Sequence, residues 1–340
     1  MIVYSFTDDH YPKPPEGSFG KSWPVQYSEG FSYFYKHYYH QSIIFLYDTN
    51  CKAWIPLATH TAKFIKFGQV LHAPVRLSCE LDSRQQKIFF ERMLKFLKAK
   101  RIIHRLLQPH PSGISLAVPE NCKSVQFGTY ITDLSPHLTE QNILDTFDPK
   151  YKKAIQHSIK NGARVVFGPL CYNDFYRVYL HTCNRNQLHI DPEKYFDKMR
   201  KLLGPQGTET AVVYDHQKPI GGIFIIHSEY AALCTHAGSD GPSPLYGAMK
   251  YLHFEMMKHL QSKGVHQYDL VGVRIGCNDP ALEGIFKFKK GFGGTLKEGY
   301  LWKTDLQPSP LILYDWIQRI RNINLHGDII DKETIYQIQP

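Results

Sequence analysis

Residues 284–294 read Gly-Ile-Phe-Lys-Phe-Lys-Lys-Gly-Phe-Gly-Gly, three lysines interleaved with aromatic rings and glycines. A setting of this kind can hold an ammonium partly out of water. A fixed cation there would steady the oxyanion formed when an amine attacks an ester or thioester, or the alkoxide that departs. Lys289 stands between Phe288 and Phe292, beside glycines whose missing Cβ lets backbone N–H groups approach an anion. It is the candidate electrostatic catalyst. The same run also reads as one solvated basic strand edge of Lys287, Lys289 and Lys290, which would discourage edge-to-edge association. Arg185 reads equally as a clamp for a phosphate or carboxylate and as half of a structural ion pair. No general base is visible; the incoming amine would lose its proton to substrate or water.

Other chemistries lose ground by absence. The sequence has no Gly-x-x-x-x-Gly-Lys-Ser/Thr phosphate loop, no Gly-x-Gly-x-x-Gly after a strand, no His-Glu-x-x-His and no Gly-x-Ser-x-Gly elbow. His37 and His40 lie three apart but have no carboxylate or cysteine at ligand spacing, so no metal site is expected. Seven cysteines, at 51, 79, 122, 171, 183, 234 and 277, include no Cys-x-x-Cys pair and read as reduced, mostly buried thiols.

These residues need a scaffold, and 340 residues allow about two domains. Forty Lys+Arg against 31 Asp+Glu leave +9, which favours polyanionic partners without choosing among phosphates, nucleic acid and an anionic membrane. The first ten residues carry Asp8, Asp9 and His10 where a signal peptide needs an apolar run, and the most apolar stretch, 220–238, is too short and too polar to span a bilayer. A soluble cytoplasmic protein without a transmembrane segment is expected.

The first 35 residues, rich in Pro, Gly, Tyr and Ser, read as a wrapping segment. Strands are expected at 42–47, 54–70, 102–107 and 127–134, with a helix over 83–100. A second cycle has helices over 151–160, 174–183 and 192–203, a meander over 208–235, a long helix over 244–263 ended by Gly264, and a strand over 267–273. A Gly-rich basic segment follows, then a strand over 299–304 and a helix over 309–320. Each half thus runs antiparallel strands, a long helix, then a short strand, which predicts α+β lobes with mixed, largely antiparallel sheets. The boundary falls in the turn-rich stretch 136–149, giving lobes of 1–140 and 141–340. The aromatic tract 31–39 and the other rings are expected to pack in the core and between lobes.

The order of several motifs resembles the FemABX family, non-ribosomal peptidyltransferases that use aminoacyl-tRNA. The family shows a helix, a glycine, a Tyr-Asp-x-x-Gly strand and a Phe-Lys-x-x-Phe-Gly-Gly motif. Here the matches are Gly264, Tyr268, Asp269, Gly272, Phe288, Lys289, Phe292, Gly293 and Gly294. Residues 129–134, 151–155 and 160–165 are similar to the family's passage of strand, Asp-Leu, basic helix and Lys-x-Gly-Val. Arg185 stands ten residues before Tyr195-Phe196, where the family often has an arginine ahead of a Tyr-Phe pair. The resemblance spans about residues 60–305. The chain departs from it at Leu71-His72-Ala73-Pro74-Val75, which keeps Pro74 and Val75 but lacks the arginine and glycine of the family's Pro-Arg-Gly-Pro-Val. It also lacks a long charged coiled-coil arm.

What the resemblance implies is two GNAT-like lobes around a cleft and transfer of an acyl group to an amine. Lys289 is the implied catalytic residue, with Arg185, Tyr268, Asp269, Phe288 and Phe292 binding substrate. No cofactor is implied beyond a co-substrate, aminoacyl-tRNA or acyl-CoA. The Gln/Arg-x-x-Gly-x-Gly/Ala turn that holds CoA pyrophosphate at a helix N-terminus is missing at 238–246, where Asp240 would repel phosphate. Implied partners are tRNA, an amine-bearing acceptor such as a peptidoglycan precursor or aminosugar, and the membrane as a peripheral contact. Two other readings stand beside this one: an acyl-CoA-dependent N-acyltransferase of surface polysaccharide or small metabolites, and a non-catalytic binder of tRNA or another polyanion.

Overall fold

The structure is a computed structural model, and it describes residues 1–7, 11–12, 22–77, 79–241, 245–276, 279–320 and 328–332. Cys277 and residues 242–244 of the 238–246 loop lie outside them. The elements of the first half are β1 (Ile2–Ser5), α1 (Glu29–Tyr38), β2 (Ser42–Asp48), β3 (Ala53–Ala62), β4 (Ile65–Val70), the short strands β5 (Val75–Arg76) and β6 (Cys79–Glu80), α2 (Ser83–Ala99) and β7 (Arg105–Leu107). Then come β8 (Lys123–Asp133), α3 (Glu140–Asp145), α4 (Pro149–Lys160), β9 (Ala163–Phe167), α5 (Tyr172–Asn186), α6 (Glu193–Leu203), β10 (Thr208–Asp215), β11 (Lys218–His227), β12 (Ala232–Ser239), α7 (Ala248–Ser262), β13 (Gln267–Asp269), β14 (Val273–Arg274), α8 (Pro280–Lys290), β15 (Thr295–Asp305) and α9 (Pro308–Ile320).

The repeated grammar of the sequence appears as repeated topology. In the first half the meander β2-β3-β4 leads through α2 to β7, which lies parallel to β4; in the second, β10-β11-β12 leads through α7 to β13, parallel to β12. Among the described residues all other strand pairs are antiparallel. The two halves share one sheet, because β15 pairs with β8 along most of its length and with β7 at Thr304 and Asp305. The chain is therefore α+β, with one mixed, largely antiparallel sheet flanked by helices.

Side-chain alternation on the strands sorts the second half into two cores. Val212, Phe224 and Ile226 face α5 and join an aromatic cluster with Phe31, Phe34, Tyr35, Phe175 and Phe196, which spans both halves. Ala211, Val213, Ile223 and Ile225 face α7 and its stripe of Leu252, Met256 and Leu260. The regular spacing of that stripe is why this helix is plain in the sequence.

Two expectations are corrected. The first 35 residues do not merely wrap the fold: β1 pairs with β2, α1 begins at Glu29, and Phe6, Trp23, Val25, Tyr27, Phe31, Phe34 and Tyr35 are core residues. The segment after residue 273 is not a strand edge but contains the helix α8, started by Asp279, whose carboxylate accepts from Ala281 N–H, with Pro280 at its first position.

Candidate active site

β12 and β13 pair only at Ala232–Tyr268 and Leu233–Asp269, after which they part. β12 continues to Ser239, with Thr235 as an extra, bulged residue against β11. β13 instead ends at Asp269 and enters a tight turn through Val271 and Gly272, both left-handed, with φ of 44° and 70°. A β-branched residue in that region is strained by about 1–3 kcal/mol and persists only when its surroundings hold it. Here they do. Val271 N–H donates to Asp269 Oδ1 (2.7 Å), and Thr129 Oγ1 donates to the same oxygen. Gly272 needs its missing side chain for space as well, since a Cβ would meet Phe127 Cζ at 3.0 Å.

Lys289 comes from the last turn of α8 and is half-buried at this parting of strands. Its Nζ donates to Val271 O and to Gly272 O (2.7 Å). Burial pulls its pKa down to about 8, resisted by Cys234 and Asp269. At neutral pH the ammonium persists, with two N–H groups on carbonyls and a third to offer. Behind it His253 Nδ1 meets Tyr268 Oη at 2.8 Å, and Tyr268 also bonds to the Cys234 thiol. Burial, then Lys289, drives His253 down to about 3, so this imidazole is neutral. Cys234, the first residue of β12 past the pairing, is pushed up to about 11 by burial. A thiol at that value is a poor nucleophile. Intact-mass analysis after quenching a reaction is accordingly expected to find no acylated enzyme; an acyl group on Cys234 would contradict this.

Asp269 is pushed above the usual carboxylate range by burial, against the bonds from Thr129 and Val271 and the charges of Lys297 and Lys289. It thus stands between two lysines. Lys297 of β15 pairs with Glu80 of β6, and Tyr230 Oη donates to the other Glu80 oxygen at 3.3 Å. Burial raises Glu80, but Lys297 and His72 outweigh it and hold the carboxyl below its ordinary range. The polar seam therefore runs from Lys289 to the first half of the chain.

The structure gathers Lys289, Asp269, Tyr268, Phe288 and Phe292 but gives them different positions. Tyr268 and Phe292 are fully buried, so they support the lysine from within rather than face a substrate. Phe288 is half-buried against Tyr151, His253 and Phe292. Gly293 and Gly294 serve packing: side chains there would run into Thr146 and, at 2.7 Å, into Ile131 O. Arg185 lies elsewhere, bonded through Nη1 to Ser239 O (3.0 Å) at the far end of β12. Five residues of strand put it roughly 16 Å from Cys234. Among the described residues no group of His, Cys, Asp and Glu could hold a metal, and no helix is long and apolar enough to cross a membrane.

Sequence reasoning passed over Glu80, Tyr230, Cys234, His253 and Lys297, which sit in five separate segments and belong to no motif. It also missed His236, whose Nε2 lies 3.1 Å from Asp191 Oδ2 and Nδ1 3.0 Å from Thr235 Oγ1, beside Tyr195 and Phe196. An imidazole oriented by a carboxylate is an arrangement that can take a proton.

Residues 205–318 match the FemAB family. That span includes β12, α7, the Val271–Gly272 turn and all of α8. The crystal structure of FemX superposes with a TM-score of 0.63 at 12% identity, covering 92% of this chain and 99% of FemX. The structure of L-PGS from Bacillus licheniformis gives 0.46 at 13% identity, covering 82% and 88%. A tandem GNAT protein from the clavulanic acid biosynthesis pathway gives 0.45 at 9%, covering 79% and 84%. No curated protein matches the sequence. The family match thus lies on the segment that builds the lysine site, and the fold is similar to that of FemX over nearly the whole chain.

Proposed function

We propose that the chain moves an aminoacyl group from aminoacyl-tRNA onto an amine of a peptidoglycan precursor, with Lys289 as electrostatic stabiliser. The amine nitrogen attacks the ester carbonyl, a C–N bond forms, and the C–O bond to the terminal ribose breaks. The amine gives up a proton and the leaving ribose oxygen gains one. The observation that carries the reading is the partly desolvated ammonium of Lys289, fixed by two carbonyls where β12 and β13 part. Its remaining N–H can meet the oxyanion, and in a site screened from water such a donor is worth most.

The donor is inferred from what surrounds α7. In acyl-CoA enzymes a helix N-terminus of this kind receives pyrophosphate. Here α4 lies across it: Ser158 Oγ donates to Tyr246 O (2.9 Å), and a side chain on Gly247 would collide with the Ala154 backbone. Asp240 is tied to His181 and Lys218, both at 2.7 Å. Meanwhile Lys150, Lys153 and Lys160 of α4 are exposed, and Tyr151 Oη links this helix to Phe288 O of α8 (3.0 Å). A basic face continuous with the lysine site suits a phosphate backbone.

The test compares donors with one amine-bearing peptidoglycan precursor as acceptor. Product from charged tRNA and none from acetyl-CoA is expected; product from acetyl-CoA alone would give the role to the CoA reading. Retained tRNA binding without transfer from either donor would leave a binding protein.

The pH profile carries a second test. The charged form of Lys289 is lost as pH rises through about 8, so transfer should decline across that range. Asp269 favours the ammonium. Asp269→Asn keeps an oxygen for Thr129 and Val271 N–H but removes that charge, and should move the decline to lower pH. An unmoved or upward-moved limb counts against the assignment.

A further inference from the structure

The helix α9 is amphipathic the wrong way round for a surface helix. Towards the protein it places Leu311 and Gln318, both buried, the Asp315 carboxylate, which pairs with Arg105 at 2.8 Å, and Tyr314, whose ring packs on Phe67. Away from the protein it places Ile312, Leu313, Trp316 and Ile320, which are 69%, 51%, 60% and 63% exposed. Residues 312, 316 and 320 recur every four positions with 313 alongside, an arc of roughly 100° on the outer side of the helix. Ordinary surface helices turn such an arc inward. Phe64, in the tight turn between β3 and β4, extends the apolar face: it is 45% exposed, and its ring meets Tyr314 edge-on at 6.4 Å.

The charges around this face that lack an ion-pair partner among the described residues have one sign. Lys63, Lys66 and Arg319 are exposed, and none has a carboxylate partner among the described residues. The nearby acids are engaged: Asp305 and Asp315 pair with Arg105, and Asp328 and Asp331, which line one cavity with Arg319, pair with Lys303. A second copy of the chain docking face to face would bring the three cations against their own equivalents. An anionic lipid surface would not. Thirteen residues make a helix about 20 Å long, too short to span a bilayer and suited to lie in its interface, where tryptophan is favoured.

We propose that α9 and the β3–β4 turn form a peripheral membrane-docking face. Ile312, Trp316 and Ile320 enter the boundary between headgroups and acyl chains, while Lys63, Lys66 and Arg319 meet lipid phosphates. This rests on the outer side of α9 and is independent of the acyl donor.

Trp316 makes the test direct, because Trp23, Trp54 and Trp302 are buried. The full chain is mixed with vesicles of phosphatidylcholine alone or with phosphatidylglycerol added, and both sedimentation and tryptophan emission are followed. The expected result is binding to the anionic vesicles with a blue shift of Trp316 and quenching by brominated acyl chains. Ile312→Ser with Ile320→Ser should weaken partitioning by about tenfold or more while circular dichroism and transfer in solution stay as they were. Lys63→Glu with Arg319→Glu should abolish the preference for anionic lipid. Absence of vesicle binding overturns the proposal, as does binding that leaves Trp316 emission unchanged. So does concentration-dependent self-association that the Ile312→Ser, Ile320→Ser variant removes in the absence of lipid.

Discussion

Replacing Lys289 with methionine is expected to lower kcat for acyl transfer by roughly 10²–10³-fold, the usual loss when one preorganised donor to an oxyanion is removed. Methionine keeps most of the volume and none of the charge. Its effect on stability should be small beside this, because two contributions oppose one another. The substitution orphans the Val271 and Gly272 carbonyls that Lys289 now satisfies, and it also removes an ammonium whose partial burial is costly, as its lowered pKa records. Steady-state kinetics well below the melting temperature should therefore find a fall in kcat with KM little changed. Were Lys289 only a latch for the strained turn, the variant would melt earlier and transfer normally once cooled. Lys289→Arg separates the roles further: guanidinium stays charged at every accessible pH, so any remaining activity should lose its decline above pH 8.

Gly293→Ala is expected to destabilise the fold by about 2–5 kcal/mol, the sum of a left-handed residue acquiring a Cβ and of overpacking against rigid backbone. Gly293 has φ of 68°, and its neighbour is the Thr146 backbone at the end of α3, which cannot swing aside as a side chain would. The clash would push β15 away from its start. Since β15 joins the two halves of the sheet and carries Lys297 to Glu80, the loss should appear in both as one cooperative transition in chemical denaturation. Gly284→Ala is a control on the same stretch, for nothing lies near its Cβ, and in a helix it should be neutral or slightly stabilising. Equal melting of the two variants would contradict this account of the glycines.

Much of the architecture is legible in the sequence because local signals agree with the fold. The stripe Leu252, Met256 and Leu260, the glycine that ends α7, and the alternation along β10 and β11 each name an element. Their order repeats that of β2, β3, β4, α2 and β7. Three helices escaped for physical reasons: α3 has six residues and buries Ile143, too short a run to show a period within its polar, turn-rich stretch. In α1, residues 31–39 are aromatic on nearly every side, so no polar face marks a period, and burial rather than propensity makes the helix. In α8, Phe286, Phe288 and the intervening lysines alternate with a period of two, which reads as strand. The helix is set instead by its Asp279 cap, by Pro280, and by the bonds Lys289 makes across to the turn.

The site divides in the same manner. Lys289, Asp269 and Tyr268 belong to motifs whose order pointed to a family, and they converge at the end of β13. Glu80, Tyr230 and Lys297 join them only through strand register: Lys297 stands opposite Thr129 on β8, and Thr129 holds Asp269. Cys234 joins because the pairing of β12 with β13 stops one residue before it. Such neighbours follow from which strand lies beside which, and a linear reading has no access to that.

The most direct test of the central claim is a titration of the Lys289 side chain by NMR, with its methylene signal assigned through the Lys289→Arg variant, run alongside the pH dependence of single-turnover transfer. A midpoint near 8 in the titration is expected, with a loss of transfer at the same midpoint. A midpoint in the ordinary lysine range, with transfer indifferent to it, would mean the ammonium is solvated and that the acyl group is moved by other means.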